Sequence, residues 1–128
     1  MKTQFEIEFL LKTSPRVLED KLMTPSGLGE WFADKVNANG NIYDFYWNGS
    51  SEKAELKYYK PGSKIQFKWL NDEDVDSFFE LSFKVDTLTN IVALTIIDFA
   101  EDDDLEDSKL VWEKNVTDLI RLLGAELT

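Results

Sequence analysis

The side chains available for chemistry in this sequence are carboxylates, tyrosines, lysines and hydroxyls, because its 128 residues include no histidine and no cysteine. Histidine is the commonest general base and transition-metal ligand, and cysteine supplies thiolate nucleophiles and zinc ligands. Two carboxylates are candidate acid-base groups: Asp98, which interrupts an apolar segment, and Glu30, beside Trp31. Burial would raise the pKa of either. Neither has a partner identifiable from spacing, so we expect no catalytic residue, no cofactor and no metal site, and a non-enzymatic function is favoured.

Acidic side chains concentrate in two runs, at residues 72–76 and 101–107. Oxygen-rich loops can bind calcium, but neither run has the turn glycine and the terminal glutamate of an EF-hand loop. Runs of like charge are usually solvated, although they can also meet a basic partner surface. Asp104, Glu106 and Asp107 have a more specific interpretation as the start of a helix. There, carboxylates satisfy free amides and oppose the helix dipole, which is worth roughly 0.3 to 1 kcal/mol each.

In the segments that alternate as strands, aromatic side chains recur at every second residue and so share one face. They could line a pocket for an apolar or aromatic ligand. The predicted cavity-lining residues are Trp31, Tyr43, Phe45, Trp47, Tyr58, Phe67, Trp69, Phe83, Trp112 and Val116. The alternative is that these side chains fill the core, since protein interiors are densely packed. Tyr43 and Tyr58 discriminate best between the two interpretations. A phenol pointing into an apolar cavity needs a hydrogen-bond partner and would indicate recognition of a polar group on a ligand.

Length and charge limit the classes of protein that this chain can represent. Residues 1–128 are 43% hydrophobic and 13% aromatic, which predicts a single domain with one core. The 14 basic and 25 acidic residues give a formal net charge of -11, which disfavours nucleic acids and anionic membranes as partners. The N-terminal segment alternates charged and apolar residues, so we expect neither a signal peptide nor a membrane span. Absence of cysteine fits a reducing compartment, so we expect the cytoplasm.

The elements that position these side chains follow from periodicity. Residues 5–11 alternate as a half-buried strand, and a hydroxyl followed by proline, at residues 14–15 and 24–25, predicts the starts of two short helices. The second of these helices is expected over residues 25–32. Further strands, joined by turns containing Asn, Gly or Pro, are predicted at residues 35–37, 42–47, 53–59, 64–70, 78–85 and 91–99. Their short links imply antiparallel neighbours.

The last long segment, Leu105–Leu123, has the 3.6-residue periodicity of an amphipathic helix, and Gly124 ends it. Its apolar stripe consists of Trp112, Val116, Leu119, Ile120 and Leu123. The whole pattern predicts an α+β fold in the order β-α-α-β-β-β-β-β-β-α, in which six to seven strands wrap around this helix.

Residues 91–99 are apolar on both phases, which indicates a strand that is central or covered on both faces. A different hypothesis is that Val92, Leu94 and Ile96, with Leu10 on the outward phase of the first strand, form an exposed patch. Such a patch could pair two subunits as a homodimer. The alternative is that helices or loops cover both faces of the strand.

Three local patterns occur in the order expected of one family: TPSGLGEWFAD at residues 24–34, KIQFKW at residues 64–69, and W-x-x-x-V-x-x-L at residues 112–119. Through them, nearly the whole chain resembles the START-like, helix-grip superfamily (SRPBCC), in particular its branch similar to the activator of the heat-shock chaperone ATPase. The resemblance implies a curved antiparallel sheet that grips the C-terminal helix, with an aromatic-lined cavity between them. The family includes lipid carriers, aromatic-polyketide cyclases, plant hormone receptors and co-chaperones, so membership does not choose the function.

Three functions are compatible with these patterns. The first is non-enzymatic binding of a small hydrophobic or aromatic molecule between the sheet and the final helix. The second is a protein-interaction module similar to the co-chaperone branch, in which an acidic surface meets a basic partner. The third is an acid-base enzyme similar to the cyclases. A filled interior would count against the first function and favour the second.

Overall fold

Seven long strands form one antiparallel sheet in the computed structural model, which describes residues 2–128. They are β1 (Thr3–Lys12), β2 (Lys35–Asn39), β3 (Ile42–Trp47), β4 (Ser50–Lys60), β5 (Lys64–Trp69), β6 (Phe79–Val85) and β7 (Val92–Ala100). A two-residue strand, β8 (Glu126–Leu127), pairs with the end of β1, so the order across the sheet is β2-β3-β4-β5-β6-β7-β1-β8. The predicted order of elements is confirmed, and β8 is an addition that the sequence pattern did not indicate.

Three α-helices accompany the sheet: α1 (Pro15–Met23), α2 (Pro25–Leu28) and α3 (Leu105–Leu123). Both predicted hydroxyl caps form, since Ser14 Oγ accepts a hydrogen bond from the first turn of α1 and Thr24 Oγ1 accepts one from the first turn of α2. Helix α2 is shorter than the predicted 25–32. The amides of Phe32 and Ala33 both donate to the Leu28 carbonyl, so residues 29–33 form turns in place of a second helical turn. Across residues 2–128, no helix is long and apolar enough to cross a membrane.

Helix α3 has the predicted bounds. Gly124 ends it in the left-handed conformation at φ 63°, with its amide donating to the Arg121 carbonyl. The predicted capping by Asp104 is wrong, because a single 3-10 turn at Asp102–Asp104 runs directly into the helix and the Asp104 side chain makes no capping hydrogen bond. Glu106 and Asp107 do lie in the first turn, where their charges oppose the helix dipole.

The core lies between α3 and the inner face of the sheet. Alternate residues of β3, β5 and β6 are buried on this face, as their period-2 patterns predicted. From α3, the predicted stripe supplies Trp112, Val116 and Leu119, all of them buried. This is the helix-grip arrangement, and it places the aromatic residues of β3, β5 and β6 beneath the helix.

Strand β4 reverses its alternation at a β-bulge between Leu56 and Tyr58. Beyond the bulge, Tyr59 is paired with the inward residue Ile65, while Tyr58 is paired with Gln66 on the outer face. Tyr58 is 47% exposed, and its ring centroid is 5.8 Å from the Lys64 ammonium. The prediction that Tyr58 lines the interior is therefore wrong, because one extra residue in a strand exchanges its two faces.

Strand β7 turns its Val92, Leu94 and Ile96 side chains into the core, where all three are fully buried. The prediction that these residues form an exposed homodimer patch is therefore wrong. Both sets of alternate residues in this strand are apolar, so periodicity could not show which face is buried. Pairing with β1 and β6 sets the register. Leu10 does point outward, as predicted.

Candidate functional site

A cluster of aromatic rings occupies the space between α3 and the sheet, with Phe32 at its centre. Phe32 lies in the turn after α2, and its ring stacks on Trp112 of α3 with the centroids 5.3 Å apart. It meets Phe45 of β3 edge-on, also at 5.3 Å. Trp47 and Phe79 each lie 5.5 Å from the same ring. Helix and sheet are thus joined through Phe32, without a gap between their aromatic side chains.

The aromatic rings on the sheet contact one another as closely as they contact Phe32. Phe67 lies 4.9 Å from Tyr43, 5.1 Å from Phe79 and 5.6 Å from Phe45, measured between centroids. Trp69 stacks on Phe79 at 5.1 Å. Aromatic pairs at these separations are in van der Waals contact. The aromatic part of the interior is therefore packed with the protein's own side chains.

Of the ten residues predicted to line a cavity, nine lie in or beside this core and Tyr58 lies outside it. Seven are buried: Trp31, Tyr43, Phe45, Phe67, Phe83, Trp112 and Val116. Trp47 and Trp69 are partly buried at the edge of the cluster. Sequence reasoning left Phe32 and Phe79 out of the set. Phe79 shares the inward phase of Phe83 and could have been found, whereas the position of Phe32 depends on turns that carry no periodic signal.

Two indole N–H groups of the predicted set bond to backbone carbonyls. Trp31 Nε1 donates to the Lys21 carbonyl at 2.8 Å, and Trp47 Nε1 donates to the Phe32 carbonyl at 3.0 Å. Burial and the neighbouring Tyr59 raise the pKa of the Tyr43 phenol above its ordinary value, so it stays neutral at physiological pH. The Trp47 bond also fixes the backbone that presents Phe32.

Asp98, one of the two candidate acid-base groups, connects β7 to α3. Its Oδ2 accepts a hydrogen bond from Trp112 Nε1 at 2.8 Å, and its Oδ1 accepts one from the Phe99 amide at 2.7 Å. Burial raises the pKa of this carboxyl, outweighing the opposite effect of the two hydrogen bonds. The other candidate, Glu30, forms an ion pair with Lys21. Asp98 thus links β7 to α3, and Glu30 links the turn after α2 to α1.

The first acidic run forms an ordered loop between β5 and β6. Asp72 Oδ1 accepts from the Asp74 amide, and its Oδ2 accepts from Ser77 Oγ and from Lys2 Nζ, the latter at 2.9 Å. Lys68 Nζ donates to the Asp74 carbonyl and to Ser77 Oγ. Burial alone would raise the pKa of Asp72, but the bonds from Ser77, Lys2 and Asp74 together lower it to about 2. Two ammonium groups thus hold the loop in shape.

The two acidic runs meet at one end of the molecule. Thr3 Oγ1 donates to Asp102 Oδ1 at 2.6 Å, and the neighbouring Lys2 bonds to the 71–76 loop. Between the runs lies an open groove of about 860 Å³. It is lined by Lys2, Glu52, Trp69, residues 71–76 and Glu101. We call this feature the acidic groove. Within residues 2–128, no group of three or more acidic side chains converges closely enough to hold a metal ion.

A second depression, of about 470 Å³, lies between the turn after α2 and the middle of α3. It is lined by residues 29–34, Trp47, Lys114, Asn115 and Asp118. Trp31, Phe32 and Trp47 are thus shared between this surface and the aromatic cluster. Phe45 and Trp112, which contact the Phe32 ring from the sheet and from α3, do not line the depression.

Comparisons with known proteins agree with this architecture. A family model for the START-like superfamily domain matches residues 1–125. The protein BfR322 of Bacteroides fragilis, solved by NMR, is 33% identical, with a TM-score of 0.68 over 94% of this chain and 90% of that one. No curated protein matches the chain.

Two further solved structures share the fold at low sequence identity. The Aha1 dimer of Colwellia psychrerythraea is 18% identical, with a TM-score of 0.71 over 96% of each chain. The protein MLL2253 of Mesorhizobium loti is 17% identical, with a TM-score of 0.77 over 95% of this chain and 97% of that one. Identities this low indicate a common fold alone.

Proposed function

The chain belongs to the START-like superfamily, and from this membership we propose that it is a protein-interaction module whose acidic groove binds a basic segment of a partner protein. The observation that carries the proposal is the packing of Phe32 against Trp112 and Phe45, which fills the space that a carrier of this fold would need for its ligand. With the aromatic interior occupied, the groove at the acidic end is the better candidate for recognition.

The charges of the acidic groove suit a cationic partner. Lys2 neutralises Asp72, but Glu73 and Asp76 are exposed, and neither carboxylate forms a hydrogen bond or an ion pair with another side chain of residues 2–128. Glu52 adds a third carboxylate to the lining of the groove. Lysine and arginine side chains from one segment of a partner could contact several of these carboxylates at once. The complementary charge would also accelerate association.

The groove also offers apolar contacts. Trp69 packs against Phe45 and Phe79 on its inner side and lines the groove on its outer side, where an indole face can accept a cation. Val75 is 86% exposed at the rim. A segment that combines basic with apolar residues therefore fits best. We propose the cytoplasm as the compartment, since a chain without cysteine fits a reducing environment.

An NMR titration with a short peptide of lysine, arginine and leucine tests this function. We expect shifts of the Trp69 indole and of the amides of residues 71–76. The Glu73→Lys, Asp76→Lys double variant should bind at least about tenfold more weakly, because two attractive contacts become repulsive. Glu6→Lys, Glu8→Lys is the matched control: it makes the same charge change on the outer face of β1 and should bind normally.

Two results would overturn the proposal. One is the absence of peptide-dependent shifts around Trp69 and the 71–76 loop. The other is equal weakening by the two double variants, because that would mean that the peptide responds to net charge and not to the groove.

Binding of a small aromatic or hydrophobic molecule is the second candidate function, and the depression beside Phe32 favours it. If the turn at residues 29–33 swung outward, Phe45 and Trp112, which contact Phe32, would become accessible from that depression. A titration with naphthalene distinguishes this function from the first. Ligand binding predicts shifts of the Trp31, Trp47 and Trp112 indoles, whereas a peptide in the acidic groove predicts shifts centred on Trp69.

A further inference from the structure

The outer face of the sheet carries an apolar depression at the end opposite the acidic groove. Its floor is Ala93 of β7, and Leu10 of β1, Lys84 of β6 and Ile91 line it on the same face of the sheet. Leu10 is 42% exposed. The depression measures about 410 Å³, and we call it the Ala93 depression.

Strand register explains its shape. Ala93 pairs with Leu10 on one side and with Lys84 on the other, so a one-carbon side chain lies between two long ones. Directly opposed residues on one sheet face lie about 5 Å apart, close enough for Leu10 to form a ridge beside the hollow over Ala93. A ridge and a hollow that are immediate neighbours form a self-complementary surface.

We propose that the Ala93 depression is a contact between two copies of this chain, in which Leu10 of each copy packs over Ala93 of the other. Such an arrangement is isologous, since the same patch supplies the ridge and the hollow on both sides. It is independent of the acidic groove and of the function proposed for that groove.

Charge favours a second copy over another occupant. The rim carries one cation, Lys84, and one anion, Asp86, so a strongly basic or strongly acidic partner would meet one unfavourable charge. In an isologous pair, Lys84 of each copy can face Asp86 of the other. The rest of the molecule is acidic, with a formal net charge of -11, and this nearly neutral surface is where two copies can approach.

The placement of the patch limits repulsion between the copies. Thr3, which bonds to Asp102 in the second acidic run, and Leu10 are seven residues apart on β1. At about 3.4 Å per residue, the strand separates the acidic end from the patch by roughly 24 Å. This exceeds the Debye length of about 8 Å at physiological ionic strength. A dimer through the Ala93 depression therefore keeps the two acidic ends apart.

Sedimentation velocity of the full chain, at concentrations from about 10 μM to about 1 mM, tests the contact, because a small patch predicts a weak dimer. The wild type should shift from monomer towards dimer as its concentration rises. Leu10→Ser should weaken dimerisation at least about tenfold by removing the ridge. Leu110→Ser is the matched control, since Leu110 is an exposed leucine on α3, away from the sheet's outer face. Circular dichroism verifies the fold of both variants.

Salt provides a second readout. Raising sodium chloride from about 50 mM to about 500 mM should not weaken the dimer, because the contact is apolar and the acidic ends already lie farther apart than the Debye length. A wild type that stays monomeric throughout would overturn the proposal, and so would equal effects of the two leucine substitutions. Dimerisation that weakens with salt would also overturn it, because ion pairs would then be the main attraction.

Discussion

Asp98 connects the last long strand to α3 through one side chain. Its carboxylate accepts hydrogen bonds from the Trp112 indole and the Phe99 amide, although burial disfavours its charge. Trp112 in turn supports the Phe32 ring. A residue that sequence alone offered as a catalytic candidate is thus part of the contact that positions the helix over the aromatic cluster.

Replacing Asp98 should change how stability depends on pH. Its pKa in the folded state lies above the ordinary value of 3.8, so the folded protein binds the proton more tightly than the unfolded chain. Stability therefore falls as pH rises from about 3.8 through the folded-state pKa. Asp98→Asn and Asp98→Ala should both remove this contribution.

Urea unfolding between pH 4 and pH 7 measures the change in slope. At pH 7, Asp98→Asn should also lose about 1 to 2 kcal/mol, because an amide can accept from Trp112 but cannot accept from the Phe99 amide as well. Asp98→Ala, which loses both acceptors, should lose more. Slopes identical to that of the wild type in both variants would contradict this role.

At the scale of elements, the contact between α1 and α2 determines where Phe32 lies. Gly27 makes that contact, because a Cβ there would be 2.1 Å from the Asp20 carbonyl oxygen and 2.7 Å from the Lys21 Cα. Both atoms belong to the backbone and cannot move aside without shifting α1. Gly29, two residues later, has its nearest atoms at 3.4 Å, an ordinary contact distance.

Gly27→Ala should therefore destabilise the protein by about 1 to 3 kcal/mol, the usual range for overpacking. Gly29→Ala is the matched control, with an expected change below about 0.5 kcal/mol, because Gly29 has an ordinary helical φ of -72°. Urea unfolding monitored by tryptophan fluorescence compares the two. Equal losses in both variants would show that the close approach of α1 and α2 does not limit stability.

The helices and strands show which features of this fold can be predicted from the sequence. Periodicity predicted α3 to the residue and the inward faces of β3 and β5, since each of these patterns has one apolar phase. It misplaced Tyr58, because a bulge adds a residue without any mark in composition. It could not place Phe32, whose position depends on turn hydrogen bonds, or the acidic groove, whose walls come from segments far apart in the chain.

Across the whole molecule, charge is distributed unevenly. On the outer face of the sheet, lysines and carboxylates are interspersed, as in the pairing of Lys53 with Asp44 across β3 and β4. The two acidic runs are instead brought together around the acidic groove, with few cations near them. The formal net charge of -11 therefore acts mainly as repulsion within one end of the fold.

Relieving that repulsion should stabilise the protein. Raising sodium chloride from about 20 mM to about 500 mM shortens the Debye length from about 20 Å to about 4 Å, so the melting temperature should rise by a few degrees. Glu73→Gln should raise it at low salt and reduce its dependence on salt, because Glu73 lies among other carboxylates. Glu8→Gln removes the same charge from the outer face, where Lys64 and Lys84 line the same shallow groove, and should not stabilise the fold. If both substitutions stabilised the protein equally, the repulsion would come from the net charge of the whole molecule and not from the acidic end.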